Sequence, residues 1–543
     1  MNNTVFRFDV PQNERLETYA PGSPARASLK EELARQAASP IEIPLIIGGQ
    51  EVTTGRLAKV VMPCDHRHVL ATYHQAGEAE VQRAIDAALA AKPAWETLSW
   101  LERASITLKA AEILATKRRQ LITAATMLGQ GKSAYQAEID AACEVIDYLR
   151  YNAYFASEIY AHQPRSGFAE LNRMEYRPLE GFVFTVSPFN FTAIASNLNM
   201  APVLMGNTTV WKPATTSLLS SYYLMRAYQE AGLPDGVINF VPGPAALVGR
   251  VAVSHRDLAG VHFTGSNATF NTLWRGVTEG LDRRRAYPRL IGETGGKDFI
   301  VAHASADVAE VATAIVRGAF EYQGQKCSAA SRAYVPRSLW PQIREQLFAM
   351  VAEIKVGDVR DFRNFMNAVI DAAAYDRIMG YIHRARRAPN AEIITGGSGD
   401  NSVGYYVQPT IIQTTDPHFV TMEEEIFGPV ITIYVYDDQA YEPTLKLVDE
   451  TSPYGLTGAV FARDRHALVK ACQALRYSAG NFYLNDKPTG AMVGLQPFGG
   501  ARGSGTNDKA GGPLNLWRWV SPRTIKETFV PATSFGYPFM GAE

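Results

Sequence analysis

The residue best suited to covalent chemistry is the one cysteine in Glu321-Tyr-Gln-Gly-Gln-Lys-Cys327-Ser-Ala-Ala-Ser331. A thiol becomes a strong nucleophile once it is partly ionised, which cationic neighbours, helix N-termini and backbone N–H groups favour. The small residues after it leave room for a substrate, although a cysteine of this kind can also serve simply as a small buried side chain. A second reactive candidate is Glu293 in Leu290-Ile-Gly-Glu293-Thr-Gly-Gly-Lys297, a carboxylate bounded by glycines on a backbone that a ligand can approach closely. Two further stretches could hold a phosphate or a sugar. Phe263-Thr-Gly265-Ser266 ends an apolar run and opens a helix, offering N–H groups, a hydroxyl and a positive dipole end. Lys212 in Trp211-Lys-Pro-Ala closes another apolar run and could bond a ribose hydroxyl. Taken alone, Thr-Gly-Ser is also an ordinary helix cap and a lysine an ordinary solvated cation. Glu138 lies among Ala137, Ile139, Ala141 and Ala142, either on a solvated face or in a functional pocket. Cys64, His66 and His68 are metal-ligand types, but no fourth ligand accompanies them, so a polar turn is the expectation and no metal is assigned.

These residues need elements to aim them. Apolar positions recurring every three and four residues predict helices over 78–98, 101–128 and 134–160. An extended excursion follows at 168–176. From Gly181 the chain alternates strand-like and helix-like runs: strands at 181–187, 208–212, 237–242 and 258–264, with helices at 217–232, 245–253 and 267–281. Such alternation predicts a parallel sheet covered on both faces, with ligands beyond the carboxyl ends of its strands. Lys212 and Thr264 stand at two such ends. Beyond a helix at 308–318 and the cysteine stretch, strands and helices alternate again, interrupted by Glu423-Glu-Glu425-Ile-Phe427-Gly-Pro429 and by a Gly-rich segment at 490–512. No Gly-x-Gly-x-x-Gly fingerprint occurs, so a nucleotide site has to rest on the strand ends.

With 543 residues, the chain exceeds what one hydrophobic core usually serves. Lys+Arg 53 against Asp+Glu 54 gives a net charge of -1, which provides no overall attraction for nucleic acid or an anionic membrane. The most apolar long region, 181–205, is broken by Pro188, Asn190, Asn197, Asn199 and Pro202, so no membrane segment is expected. Four scattered cysteines point to a reducing compartment. The N-terminus carries neither a secretory nor a transit pattern, so the cytoplasm is expected, or the mitochondrial matrix if a presequence has been removed.

Taken in order, Ser187-Pro-Phe-Asn190-Phe, Trp211-Lys-Pro-Ala, Phe263-Thr-Gly-Ser266, Glu293-Thr-Gly-Gly-Lys, Gly324-Gln-Lys-Cys327, Glu425-Ile-Phe-Gly-Pro and Pro497-Phe-Gly-Gly resemble the NAD(P)-dependent aldehyde dehydrogenase superfamily. More narrowly, Glu138-Ile-Asp-Ala-Ala, Lys326-Cys-Ser328-Ala and Thr489-Gly-Ala491 resemble its branch that oxidises L-glutamate γ-semialdehyde, formed from Δ1-pyrroline-5-carboxylate in proline catabolism. The resemblance implies an α/β fold: a Rossmann-type NAD-binding domain (41–162 and 181–291), an α/β catalytic domain (292–490) and a small β oligomerisation element (163–180 and 511–543). It leaves an N-terminal arm (1–40) and a Gly-rich return segment lining the active site (491–510). It implies Cys327 as nucleophile, Asn190 with the Cys327 N–H as oxyanion donors, and Glu293 as the base that hydrolyses a thioester. Ser187, Lys212, Gly265, Ser266, Glu425 and Phe427 would hold the cofactor. Ser328, Gly490 and Ala491 would bind the substrate carboxylate, and Phe189 and Phe498 would flank its chain. Glu138 would face its ammonium, unless it pairs with an arginine instead. Where NAD-preferring relatives often carry Lys-Pro-Ser-Glu, this chain reads Lys212-Pro-Ala-Thr215, so NAD is expected and NADP remains open. A homodimer or higher homo-oligomer and a functional link to proline dehydrogenase are the implied partners. Two other activities stay open: a dehydrogenase for another small semialdehyde or aldehyde, and a cofactor-free cysteine hydrolase or thioesterase.

Overall fold

A computed structural model of the chain describes residues 6–542. Two seven-stranded sheets form its centre. In the first, Arg289–Glu293, Leu258–Thr264, Phe182–Val186, Thr209–Lys212 and Ile238–Phe240 lie side by side in parallel. Leu45–Ile47 and Gln50–Val52 complete its edge in antiparallel fashion. Successive strand residues point to opposite faces. Phe182, Phe184, Val210, Val261 and Phe263 therefore join one core, while Val183, Trp211 and Ala259 join the other.

The second sheet runs in the order Ala391–Thr395, Thr410–Thr414, Val430–Tyr436, Ala330–Pro336, Asp298–Ala302, Thr457–Phe461, Asn481–Leu484, antiparallel only at its first pair. Its strands again alternate, with Phe299 and Val301 in one core and Ile300 and Ala302 in the other. Both sheets are thus doubly wound, as the alternating pattern predicts. A separate two-stranded ribbon pairs Glu170–Pro178 with Val520–Thr528. Among the described residues no helix is long and apolar enough to cross a membrane.

Two helical expectations change. The stretch expected as one helix over 101–128 is two, Trp100–Ala115 and Arg119–Gln130, because the backbone turns at Thr116 with ψ -79 and Arg118 departs from helical geometry. The helix expected over 134–160 is continuous but not uniform: Ala134–Ala137 and Val145–Ala161 are α, and Glu138–Glu144 between them is a π-helix. A π turn carries extra residue per turn and so rotates everything after it relative to a 3.6-residue reading.

Candidate active site

The carboxyl edge of the first sheet assembles most of the candidate residues. Val186 lies opposite both Lys212 and Phe263, and Thr264 lies opposite Glu293, so Ser187, Lys212, Gly265 and Glu293 emerge from one rim. Lys212 is buried with no carboxylate against it among the described residues, and desolvation alone lowers its ammonium to about 8. Ser187 is buried too and accepts a hydrogen bond from Trp211 Nε1 at 2.9 Å, tying two strand ends together. Ser266 is exposed as the N-cap of the helix Asn267–Thr278, its hydroxyl accepting from Thr269 N. A Cβ at Gly265 would stand 2.7 Å from the Phe263 ring, so glycine keeps that turn tight. Across the cleft, Glu425 Oε1 accepts the Gly296 N–H at 3.0 Å, and a Cβ at Gly295 would come within 2.1 Å of Glu425 Oε2. Burial raises Glu425 to about 7, with the Gly296 N–H and Lys297 opposing the shift. Phe427 sits at φ +56 with its ring edge-on to Phe189, centroids 5.7 Å apart.

The cysteine loop is held in a strained backbone. Tyr322 and Gln323 lie at φ 52 and 53, left-handed values that cost a non-glycine residue of order 1 kcal/mol each unless surroundings fix them. The surroundings do: Tyr322 Oη donates to Gln130 O, and Gln323 Nε2 donates to Gly131 O and Ala368 O, all from buried side chains. Gly324 at φ +65 passes so close to Gly428 O that a Cβ would lie 2.2 Å from it. Lys132 joins this loop to the next. Its ammonium donates to Asp140 at 2.8 Å and lies 3.8 Å over the Phe191 ring and 4.5 Å from the Tyr322 ring. Asp140 also accepts the Thr192 and Ala193 N–H groups at the start of the helix Thr192–Leu204. One buried ion pair therefore positions both the Asn190 loop and the Cys327 loop.

At their meeting point Cys327 Sγ donates to Glu293 Oε1 at 3.7 Å. Asn190 Nδ2 donates to Gln325 O at 3.1 Å, leaving its second N–H uncommitted. The Cys327 N–H finds no acceptor among the described residues. Burial lifts Glu293 to about 7, against the lowering pull of the thiol hydrogen bond and of Lys509. Burial also pushes the Cys327 thiol well above its ordinary value, reinforced by Glu293, Asp298 and Glu425, so the resting sulfur is protonated beside a carboxylate able to take its proton.

Ser328 is buried, sharing a 2.9 Å hydrogen bond with Thr489 Oγ1. Gly490 follows at φ +102, and among the described residues the N–H groups of Gly490 and Ala491 find no acceptor. Phe498 and Glu293 line one small cavity with Tyr148 and Lys509.

Glu138, expected to face a substrate ammonium unless it paired with an arginine, is paired with Arg119. Its carboxylate is fully buried and accepts from Tyr19 Oη at 2.6 Å and from the Glu17 N–H at 3.1 Å. Arg119 and the Glu17 N–H meet Oε1 while Tyr19 meets Oε2, so both carboxylate oxygens are engaged by the protein itself. At the other end of the π-helix stands Glu144, one turn before Tyr148. Burial raises the Glu144 carboxyl well above its ordinary value, followed by Asp140 and, further down, Glu293, with Lys132 opposing. Tyr148, one turn on, lines the cavity with Glu293, and its hydroxyl is raised by burial and then by Glu144, Glu293 and Cys327. Sequence reasoning missed Glu144, although an acid between Ala-Ala-Cys and Val-Ile carries the same signal that drew attention to Glu138.

The chain matches the aldehyde dehydrogenase family over residues 51–525. It is 52% identical over 534 residues, 98% of this chain and 96% of its relative, to the mitochondrial delta-1-pyrroline-5-carboxylate dehydrogenase of Dictyostelium discoideum. A solved structure of the Mycobacterium tuberculosis delta-pyrroline-5-carboxylate dehydrogenase bound with NAD superposes with a TM-score of 0.96 at 50% identity, covering 100% of both chains. Proline utilization A from Bdellovibrio bacteriovorus superposes with a TM-score of 0.91 at 31% identity, covering 96% of this chain and 53% of that one. A cysteine, a carboxylate and an amide meeting at the rim of a doubly wound sheet are what such a match requires, and the chain belongs to the aldehyde dehydrogenase family.

Proposed function

We propose that the chain oxidises L-glutamate γ-semialdehyde to L-glutamate with NAD. The observation that carries the substrate is the placement of Glu144, one turn before the cavity-lining Tyr148, together with the Gly490 and Ala491 N–H groups, which find no acceptor among the described residues, beside Ser328. A substrate bearing an ammonium and a carboxylate at one end satisfies both, with Phe189 and Phe498 along its aliphatic part. The names of relatives about half identical over the whole chain support this choice.

The Cys327 thiol passes its proton to Glu293 as the sulfur attacks the aldehyde carbon. Negative charge then develops on oxygen, where the second Asn190 N–H and the Cys327 N–H can receive it, each such donor being worth about 3 kcal/mol in a transition state. Lys212, Ser266 and Glu425 would hold NAD: a desolvated cation at a strand end, an exposed helix start and a buried carboxylate fit a ribose, a pyrophosphate and a second ribose. When bound, the nicotinamide supplies the acceptor for the hydride that leaves the substrate carbon. A thioester to Cys327 remains. Glu293, having released its proton to solvent, takes one from water as that water attacks the thioester, freeing glutamate and the thiol. Thr215 brings no acid to the Lys212 turn, so NADP is accepted as a poorer second coenzyme.

The sheets support dividing the chain into an NAD-binding unit, 41–162 with 181–291, and a catalytic unit, 292–490, with the Glu170–Pro178 and Val520–Thr528 ribbon as the oligomerisation element of a homodimer or larger assembly. Coverage of about half of a chain named proline utilization A supports a functional link to proline dehydrogenase. Four free cysteines suit a reducing compartment, the cytoplasm or the mitochondrial matrix, and mitochondrial relatives support the latter. The test is steady-state NADH formation from Δ1-pyrroline-5-carboxylate by wild type and Cys327→Ala, repeated with NADP. Turnover by the wild type alone, faster with NAD, is expected; wild-type turnover of propanal but not of the semialdehyde would refute the substrate.

A further inference from the structure

Residues 13–19 of the N-terminal arm lie against the helix Val145–Ala161 and the loop that follows Gly490. Residues 6–20 have no regular structure, yet a short run of them is bonded at almost every position. The Asn13 amide donates to Asp147 Oδ2 at 2.8 Å and to Val493 O at 2.9 Å, and its oxygen accepts from Tyr151 Oη at 3.2 Å. The Glu14 N–H donates to Asp147 Oδ1 at 2.7 Å, and its carboxylate binds Arg119 at 2.7 Å and Arg150 at 2.5 Å. Arg119 also donates to Arg15 O at 2.7 Å. Tyr19, buried at φ 49, closes the run on Glu138. The buried Glu138 and Arg119 are thus the anchor of this strap.

The strap meets the pocket from two sides. Asp147 and Tyr151 are four residues apart on the helix Val145–Ala161, so they share a face. Glu144 and Tyr148, also four residues apart, share the adjacent face, and Tyr148 lines the cavity that holds Glu293. Val493, whose carbonyl Asn13 holds, follows Gly490 by three residues and Ala491 by two. The loop rests directly on the same helix: Gly494, at φ +79, packs so closely that a Cβ there would stand 2.1 Å from Tyr151 Cε1. One amide, 480 residues from Val493 in the chain, therefore bridges the element bearing the ammonium partner and the loop bearing the carboxylate donors.

We infer that Asn13 is a positioning residue that fixes the spacing between Glu144 and the Gly490–Ala491 N–H groups, and so selects aldehydes carrying both an ammonium and a carboxylate. The inference rests on the substrate reading above. Propanal carries neither group and is indifferent to that spacing. Loss of fold would lower both activities together, whereas loss of spacing lowers one.

The test is the kinetics of full-length Asn13→Ala and Asn13→Asp with Δ1-pyrroline-5-carboxylate and with propanal. In both variants KM for the semialdehyde rises about tenfold, as expected when one hydrogen-bonded bridge is lost, while kcat and both propanal constants stay within about twofold. Asn13→Asp keeps the size of the side chain but cannot donate, so wild-type behaviour in that variant would overturn the inference in favour of mere packing. Equal changes for both aldehydes, a change in neither, or a variant that loses both activities with a lowered melting temperature would also overturn it. A wild type that turns over propanal but not the semialdehyde defeats the substrate reading itself and this inference with it.

Discussion

Glu293 has to accept a proton twice, first from Cys327 and later from water, and to release it in between, and its environment is tuned for that exchange. An ordinary carboxylate is ionised at neutral pH and too weak a base to activate water well. Burial raises Glu293 to about 7, where both forms are populated, and the Cys327 hydrogen bond and Lys509 keep it from going higher. A base matched to the ambient pH is the efficient choice for proton transfer. The unprotonated fraction grows as pH rises through the folded value. Turnover limited by thioester hydrolysis should therefore climb with an inflection near pH 7 and level off above it. In Glu293→Gln the amide cannot take a proton from water, and loss of a general base typically costs about 10²- to 10⁴-fold. Stopped-flow absorbance should then show a burst of NADH no larger than one per active site followed by near silence. A full steady-state rate in that variant would remove Glu293 from hydrolysis.

The π-helix over Glu138–Glu144 sets apart the two acids at its ends, and we propose that Glu144 is the one that meets the substrate ammonium. Read at 3.6 residues per turn, Glu138 is the obvious acid among alanines; with the extra residue in the turn it lies on the Arg119 side, and Glu144 stands one turn before Tyr148, which lines the cavity with Glu293. Substitutions should separate the two. Glu138→Ala strands part of a buried ion pair and should cost about 3 kcal/mol in denaturant unfolding. Glu144→Gln should cost nothing at pH 7. Its folded carboxyl titrates above the ordinary 4.5, so the stability it contributes is present below that value and lost as pH rises; the neutral amide removes that penalty. The same variant should raise KM for the semialdehyde at least about tenfold, the effect of one lost charged contact, and spare propanal. If Glu138→Gln, rather than Glu144→Gln, discriminated between the two aldehydes, the assignment would be reversed. What was legible in the sequence follows from the same distinction. Lys212, Ser266 and Glu293 announce themselves because a strand end followed by a tight turn is a local signal within a few residues. The π turn, the break at Thr116–Arg118 and the left-handed Tyr322 are set by contacts with distant chain, such as Gln130 reaching Tyr322, and no local period encodes them.

For the molecule as a whole, the ribbon is the part that its own fold does not justify. Its two strands pair along their full length, from Val520 opposite Pro178 to Thr528 opposite Glu170, and cross-strand ion pairs such as Arg523–Glu175 and Lys526–Glu170 decorate it. Yet most of its residues are exposed, and exposed ion pairs contribute little. An isolated two-stranded ribbon is marginal in water and calls for a third surface. The chain just beyond it presents Phe529, Phe535 and Phe539 at 58%, 89% and 84% exposure, a run of aromatic side chains that gains by being covered. A second copy supplies such a cover symmetrically, since each chain offers both ribbon and tail. Sedimentation velocity should find the full chain as a dimer or larger species. Truncation after Val520 keeps Trp519 and Val520, both fully buried, and leaves the two large sheets intact, so the shortened chain should still fold but sediment as a monomer. A full-length monomer, or a truncated chain with the assembly unchanged, would show that these strands are held by something other than another copy.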